Sequence, residues 1–373
     1  MSGDHRSRRR MRERFEYRAG RALAALPPRV QVRLSGKPAV TMDGLTLSPE
    51  IQLSLAMLER QGYPAMSQFP VEKARRITRQ QALLYGGPGA EVGSVRDLEI
   101  DGADGPIAAR HYETDEPGGP HPLLLYFHGG GFVIGDLDSH DSLCRLLCRH
   151  AGVNMLAVDY RLAPEHAFPH PVDDARAALR WAYEHAASQL GADTGRIAVG
   201  GDSAGGNLAA VVSQLATHDE GPAPVFQLLI YPVVDFDERR PSQDMFDKGF
   251  FLTREDMDWF YMHYVESVGA DPKDPRLSPL LHEDLSGLPP AFVVTAGFDP
   301  LRDEGETYVE ALRAAGTPVA LRRFPDLIHA FVNMVGVSRV SRDAVIEIAG
   351  ATRAMLSTAG AAVAQSASSA EAV

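Results

Sequence analysis

Gly201-Asp202-Ser203-Ala204-Gly205 lies between a short apolar run, Arg196-Ile197-Ala198-Val199-Gly200, and a helix-like stretch, Gly206-Asn207-Leu208-Ala209-Ala210-Val211-Val212. That order predicts strand, sharp turn, helix, with a serine hydroxyl exposed at the tip of the turn. The glycine spacing has a steric reason. The neighbouring strand and helix pass close to the positions two before and two after the serine, where a residue without Cβ fits most easily. Taken alone, G-x-S-x-G also describes a plain glycine-rich βα turn, so its surroundings decide between scaffold and nucleophile.

Working outward, short apolar runs at 95–100, 106–112, 123–127, 155–158, 197–199, 226–230, 291–295 and 319–322 read as strands. The first two are separated by Asp101-Gly102-Ala103-Asp104-Gly105, a hairpin signal. Helical patterns fall between most of the others, at 138–150, 172–188, 204–217 and 301–315, with a last one at 341–358. This alternation predicts an α/β fold with an eight-stranded, mostly parallel sheet flanked by helices. The catalytic core is expected over 91–231 and 286–358. Two stretches lie outside it. Residues 21–90 read as a helical lead-in, with Ser48 as N-cap before Pro49 and a second helix opening at Pro70. Residues 232–285 contain no strand, and Thr253-Arg254-Glu255-Asp256 opens a helix carrying Met257, Phe260, Tyr261 and Tyr264. Both stretches are expected to form a helical cap. Residues 1–20 are expected to be a flexible basic tail, and 359–373, rich in Ala and Ser, a disordered one.

The chain has 373 residues and a formal net charge of −12. Its basic residues are nearly all arginine, the lysines being Lys37, Lys73, Lys248 and Lys273. An acidic body argues against nucleic acid as a main partner. The basic cluster from Arg6 to Arg21 is followed by no long apolar stretch, because Leu23-Ala24-Ala25-Leu26 stops at Pro27-Pro28. That is too short for a signal peptide, and no run approaches the roughly 18 apolar residues of a membrane span. A cytoplasmic location without stable membrane insertion is expected, the arginine cluster being a solvated tail rather than a membrane contact. The two cysteines, Cys144 and Cys148, lie four apart on one helical face and read as buried apolar thiols, with too few neighbouring ligands for a metal site.

Directly after the third strand comes His128-Gly129-Gly130-Gly131-Phe132. Three consecutive glycines let backbone N–H groups converge on one point, the arrangement an oxyanion needs when a carbonyl becomes tetrahedral. The N–H of Ala204, next to the serine, is the expected second source of donors. A serine hydroxyl becomes a nucleophile when a histidine removes its proton and an acid fixes that histidine's tautomer. After Ser203, Asp299 and His329 stand in the loops that follow the last two strands. This places Ser203, Asp299 and His329 as a catalytic triad in chain order Ser, Asp, His. Of the neighbouring ionisable groups, Asp202 reads as a structural hydrogen-bonder and His282 as a surface residue. His263 faces the pocket from the cap helix. Asp303 and Glu304 read as the negative residues favoured at a helix start. Tyr160, Arg161 and Glu165 are expected to form a buried charge network behind the glycine loop.

Together His128-Gly129-Gly130-Gly131-Phe132, the Asp159–Glu165 stretch DYRLAPE, GDSAGGN around Ser203, DPLRDE from Asp299 and DLIHAF around His329 resemble the bacterial hormone-sensitive-lipase family of α/β-hydrolases (family IV carboxylesterases), in its GDSAG branch. The resemblance covers roughly residues 45–358. It implies the α/β-hydrolase fold with a two-part helical cap, the triad Ser203, Asp299 and His329, and Gly130, Gly131 and Ala204 as oxyanion donors supported by Gly129. It implies hydrolysis of short to medium acyl esters through an acyl-enzyme, with no metal or organic cofactor, and it is compatible with a homodimer. Amidase, deacetylase and lactonase chemistry use the same triad, and a non-catalytic ligand-binding homologue is a further alternative. One departure is Ala330, where many relatives carry glycine after the histidine; it is expected only to tighten the loop.

Overall fold

The apolar runs become the strands of one sheet. In this computed structural model, which describes residues 17–62, 65–219 and 221–370, the strands are β1 (Ser94–Gly102), β2 (Gly105–Glu113), β3 (His121–Phe127), β4 (Asn154–Val158), β5 (Ala192–Asp202), β6 (Gln227–Ile230), β7 (Ala291–Phe298) and β8 (Val319–Ile328). Their spatial order is β8-β7-β6-β5-β3-β4-β2-β1. Every pairing from β8 to β4 is parallel. Only β2 runs against its neighbours.

The helices are α1 (Pro28–Ser35), α2 (Pro49–Arg60), α3 (Val71–Gly86), α4 (Asp141–Ala151), α5 (His170–Leu190), α6 (Ala204–His218), α7 (Pro241–Met245), α8 (Arg254–Tyr264), α9 (Arg302–Ala314) and α10 (Arg339–Ala370). β3 shows how the core is divided. Leu123, Leu125 and Phe127 pack into the layer under α5, α6 and α9. Leu124 and Tyr126, pointing the other way, pack into the layer under α4 and α10. Period-two alternation of a fully apolar strand thus builds two cores, one on each face of the sheet. Cys144 and Cys148 are both buried thiols in the second layer.

Several local expectations change in the structure. Ser48 occupies the N-cap position of α2, but its side chain makes no capping bond; its backbone N–H instead donates to the Asp326 carbonyl at 2.9 Å, which ties the lead-in to the end of β8 just before His329. Residues 17–24 are helical, so the basic tail expected over 1–20 does not extend through 17–20; residues 1–16 lie outside the described residues. The last helix continues to Ala370 rather than ending at 358 before a disordered tail. The alanines beyond Gly360 have the highest helix propensity of any residue and carry the backbone on.

The two stretches outside the sheet meet each other. Thr253 caps α8 by accepting the Asp256 N–H at 3.1 Å and donates its own hydroxyl to the Asp256 carboxylate at 2.6 Å. The same carboxylate accepts the N–H of Met66 at 2.9 Å, and Glu255 accepts the Ser67 hydroxyl at 2.6 Å. Removing the Asp256 carboxylate breaks both the reciprocal cap and the cross-link to Met66. Asp256→Ala is expected to lower stability by about 1–2 kcal/mol, read as a lower urea midpoint with an unchanged denaturant slope.

Candidate active site

The sheet edge at the C-terminal ends of the parallel strands collects residues from four separate loops. Ser203 follows β5, Asp299 follows β7, His329 follows β8 and the glycine loop follows β3. Ser203 has φ 56° and ψ −117°, a conformation that costs a non-glycine residue of order 1–3 kcal/mol. Packing holds it there. A Cβ at Gly205 would lie 1.9 Å from the Phe127 carbonyl oxygen, far inside van der Waals contact, and one at Gly201 would meet the backbone of Gly205. The Ser203 N–H is anchored to the Ile230 carbonyl at 2.9 Å.

His329 bridges the other two side chains. Its Nε2 lies 3.1 Å from Ser203 Oγ and its Nδ1 lies 2.8 Å from Asp299 Oδ2. Asp299 is fully buried and its second oxygen accepts the Leu301 N–H at 2.8 Å. A carboxylate on Nδ1 selects the tautomer with the proton on Nδ1, so Nε2 presents a lone pair to the serine hydroxyl. Gly130 (φ 122°) and Gly131 (φ 59°) shape the loop facing Ser203. The N–H groups of Gly130, Gly131 and Ala204 have no acceptor among the described residues.

Asp202 is a hydrogen-bond hub, as its reading as a structural residue anticipated. Oδ1 accepts the Gly129 N–H at 3.0 Å and the Tyr126 hydroxyl at 2.9 Å, and His140 Nε2 lies 3.4 Å from Oδ2. Burial pushes the Asp202 carboxyl up, but His140 and the Tyr126 hydroxyl outweigh it and hold the group below the usual carboxylate range. His128 lies on the far side of the loop. Its ring stacks on Tyr160 with centroids 4.4 Å apart, its Nδ1 meets the Gly129 carbonyl at 2.8 Å, and burial pushes its pKa down to about 4. His128 is therefore neutral at pH 7 and makes no ion pair with Asp159, 4.0 Å away.

The expected Tyr160–Arg161–Glu165 network is divided. Tyr160 does lie behind the loop, donating to the His128 carbonyl at 2.7 Å. Arg161 turns away to the fully buried Asp174, at 2.8 and 2.9 Å. Glu165 reaches outward to Arg75 of α3, whose guanidinium also donates to the Val133 and Ala163 carbonyls, each at 2.8 Å. His263 packs edge-on against Trp259 and lies outside the cavity lining, contrary to its expected place. His282 is stacked on His218, away from the site.

Asp303 and Glu304 do stand in the first turn of α9, as expected, and Glu304 is in addition fully buried. Oε1 accepts the Val234 N–H at 2.8 Å and Oε2 accepts Gln243 Nε2 at 3.0 Å. Beside it, Asp303 accepts the Ser242 N–H at 2.9 Å. The two acids that start α9 therefore fasten the inserted segment to the loop carrying Asp299. Burial pushes the Glu304 carboxyl up to about 8 against the pull of these two donors.

A cavity of about 1150 Å³ opens onto Ser203 and His329. Leu55 and Leu58 of α2 line it from the lead-in, and Phe236, Met257, Phe260 and Tyr261 line it from the inserted segment. Phe260 lies against Gly131 so closely that a Cβ there would enter its ring.

A family model described as the α/β hydrolase fold matches residues 124–333. The chain belongs to the α/β-hydrolase family. Its place is in the hormone-sensitive-lipase-like branch of that family. The chain is 48% identical over 342 residues to a protein named carboxylic ester hydrolase LipN from Mycobacterium tuberculosis, covering 90% of each chain. It is 40% identical to ethyl acetate hydrolase of Pseudomonas putida, covering 78% of this chain and 93% of that one. Among solved structures, an ester hydrolase from the metagenome of Lake Arreo, complexed with a bipyridine phosphonate derivative, aligns at 41% identity with a TM-score of 0.80, covering 83% of this chain and 98% of that chain.

Two consequences can be measured. Ala330 has φ 61°, so alanine bears a left-handed strain here that glycine would avoid. After allowance for the extra freedom glycine gains on unfolding, Ala330→Gly is expected to stabilise the protein by about 0.5–1 kcal/mol, read as a higher melting temperature. Glu304 has a folded pKa raised above its ordinary value of 4.5. The folded state therefore holds a proton that the unfolded state releases, and wild-type stability falls as pH rises from about 4.5 towards 8. Glu304→Gln cannot ionise, so its stability relative to wild type should improve across that window; parallel melting-temperature curves for the two proteins would refute the assignment.

Proposed function

We propose that this chain hydrolyses carboxylic esters with short to medium acyl chains, with Ser203 as nucleophile, His329 as general base and acid, and Asp299 as the group that orients it. The observation that carries this reading is the continuous relay from Asp299 Oδ2 through both nitrogens of His329 to Ser203 Oγ, at 2.8 and 3.1 Å. His329 Nε2 takes the proton as Ser203 Oγ attacks the ester carbonyl carbon, and the carbonyl oxygen gains the negative charge. The N–H groups of Gly130, Gly131 and Ala204 receive that charge. Each such donor is worth roughly 10²–10³ in rate. The imidazolium, stabilised by Asp299, returns the proton to the departing alcohol oxygen and leaves an acyl-serine. Water then attacks that acyl group with His329 again accepting the proton, which releases the acid and restores Ser203.

The lead-in over 21–90 and the insertion over 232–285 serve in this reading as a two-part cap. Its apolar side chains over the cavity suit an acyl or alkyl group, and the relatives named for carboxylic ester and ethyl acetate hydrolysis support the substrate class. The free, buried thiols of Cys144 and Cys148 support a reducing, cytoplasmic setting.

Purified protein should turn over p-nitrophenyl butyrate and lose that activity on treatment with a serine-directed phosphonate. Ser203→Ala should reduce kcat by at least about 10⁴-fold, and Asp299→Asn by about 10⁴-fold, without a comparable change in melting temperature. Wild-type protein inert on C2–C12 p-nitrophenyl esters would overturn the proposal.

A further inference from the structure

Helix α1 is packed inside out. Its inward positions are polar, Gln31 and Ser35 being buried, while Val30 and Leu34 stand 39% and 42% exposed. A helix on the surface of a soluble domain has the opposite distribution. Hydrogen bonds satisfy the inward face. Gln31 Nε2 donates to the Leu23 and Ala24 carbonyls at 3.2 and 2.9 Å, and Gln52 of α2 donates to Ser35 Oγ at 2.9 Å. Arg60, the last residue of α2, donates to the Leu34 and Ser35 carbonyls, each at 2.9 Å. These bonds fix the rotation of the helix, so Val30 and Leu34 cannot turn inward without breaking them.

At about 100° per residue, the outward positions follow one another around α1 as Arg29, Arg33, Val30, Leu34, a basic strip beside an apolar one. Arg29 and Arg33 are exposed and have no ionic partner among the described residues. The charge of the chain is divided in the same sense. Residues 1–37 carry eleven Lys and Arg against three Asp and Glu, whereas the whole chain has a net charge of −12. The remainder is therefore strongly acidic and is repelled by a negative surface that attracts the α1 end. Apolar exposure is divided too. Among the described residues, all eight large apolar side chains left exposed lie in the lead-in or the insertion, none on the sheet and its flanking helices.

We propose that the outward face of α1 docks peripherally on an anionic lipid bilayer, with Val30 and Leu34 entering the headgroup boundary and Arg29 and Arg33 meeting lipid phosphates. A bilayer surface matches both strips at once: its negative potential attracts the arginines, and its acyl boundary takes the apolar pair, which a soluble polyanion does not. Sequence reading gave the arginine cluster no apolar companion and left it a solvated tail; the exposure of Val30 and Leu34 provides one. Lys37, two residues past the end of α1, lines the cavity with its side chain more than half exposed, so the docked face borders the cavity rim. Docking there brings the cavity to molecules dissolved in the bilayer. The docking itself does not depend on the ester-hydrolase reading.

The test is co-sedimentation of the whole chain with lipid vesicles at low ionic strength. Binding to vesicles of equal parts phosphatidylcholine and phosphatidylglycerol should exceed binding to phosphatidylcholine alone by at least about 10-fold and should weaken as salt is added. Val30→Ser combined with Leu34→Ser should weaken binding to the anionic vesicles by about 10-fold or more, and so should Arg29→Glu combined with Arg33→Glu. Both pairs are on the surface, so melting temperature and turnover of p-nitrophenyl butyrate without vesicles should match wild type. The wild-type comparison of the two vesicles stands by itself if a variant does not fold. Equal or absent binding to the two vesicles overturns the proposal, as does binding that neither pair of substitutions weakens. Binding that falls with the arginine pair alone marks a site for soluble polyanions and overturns it too. A lipid-free dimer that Val30→Ser with Leu34→Ser dissociates gives the face to a second copy of the chain, with the same consequence.

Discussion

The close approach of α6 to the end of β3 constrains everything else at this site. Gly201 and Gly205 let backbone pass where side chains would collide with each other's neighbours and with the Phe127 carbonyl. The turn between them has no relaxed conformation for a serine, so Ser203 takes φ 56°. That strain is held because both flanking elements are buried in a large core, with Ile197–Asp202 of β5 and the first turns of α6 all buried. The hydroxyl is thereby held at the sheet edge, beside an Ala204 N–H that has no acceptor among the described residues.

Strain of this kind is concentrated around the site. Phe132, Ser203, Tyr231 and Ala330 all have positive φ and stand in the loops after β3, β5, β6 and β8. Each loop must reverse the chain abruptly at the C-terminal edge and aim a particular atom at one small volume. The Asp202 hub stabilises this edge from behind. By accepting the Gly129 N–H and the Tyr126 hydroxyl together, it fixes the glycine loop against the elbow with charge-assisted bonds in a buried setting.

The two segments outside the sheet are joined to this rigid edge through buried or half-buried carboxylates. Glu304 and Asp303 secure the insertion beside Asp299, Asp256 joins it to the lead-in, and Arg75 ties α3 to the Val133 and Ala163 carbonyls next to the glycine loop. The cavity walls are therefore set by long-range polar contacts superimposed on an apolar lining.

Much of this was legible in the sequence. Uninterrupted apolar runs separated by amphipathic stretches determined the strands, their parallel pairing and the helices on both faces, because period and run length are local properties. The glycine spacing around Ser203 and the triple glycine after β3 were legible because close backbone approach excludes other residues wherever it occurs. Chain order singled out Ser203, Asp299 and His329, and the fold brings the first two each within hydrogen-bond reach of His329. What the sequence left open depends on partners far away in the chain. Glu304 reads only as a helix-start acid, and its burial comes from residues 234 and 243 closing over it. Arg161 looks paired with Glu165 until Asp174 offers a buried carboxylate. Helix α10 runs past its expected end on alanine propensity alone. Ser48 has the right position for a cap and no bond to make there. The wall of the cavity joins α3 to a turn some 250 residues later in the chain. Burial, and the choice among competing hydrogen-bond partners, exist only once distant segments pack, so those assignments belonged to the tertiary structure alone.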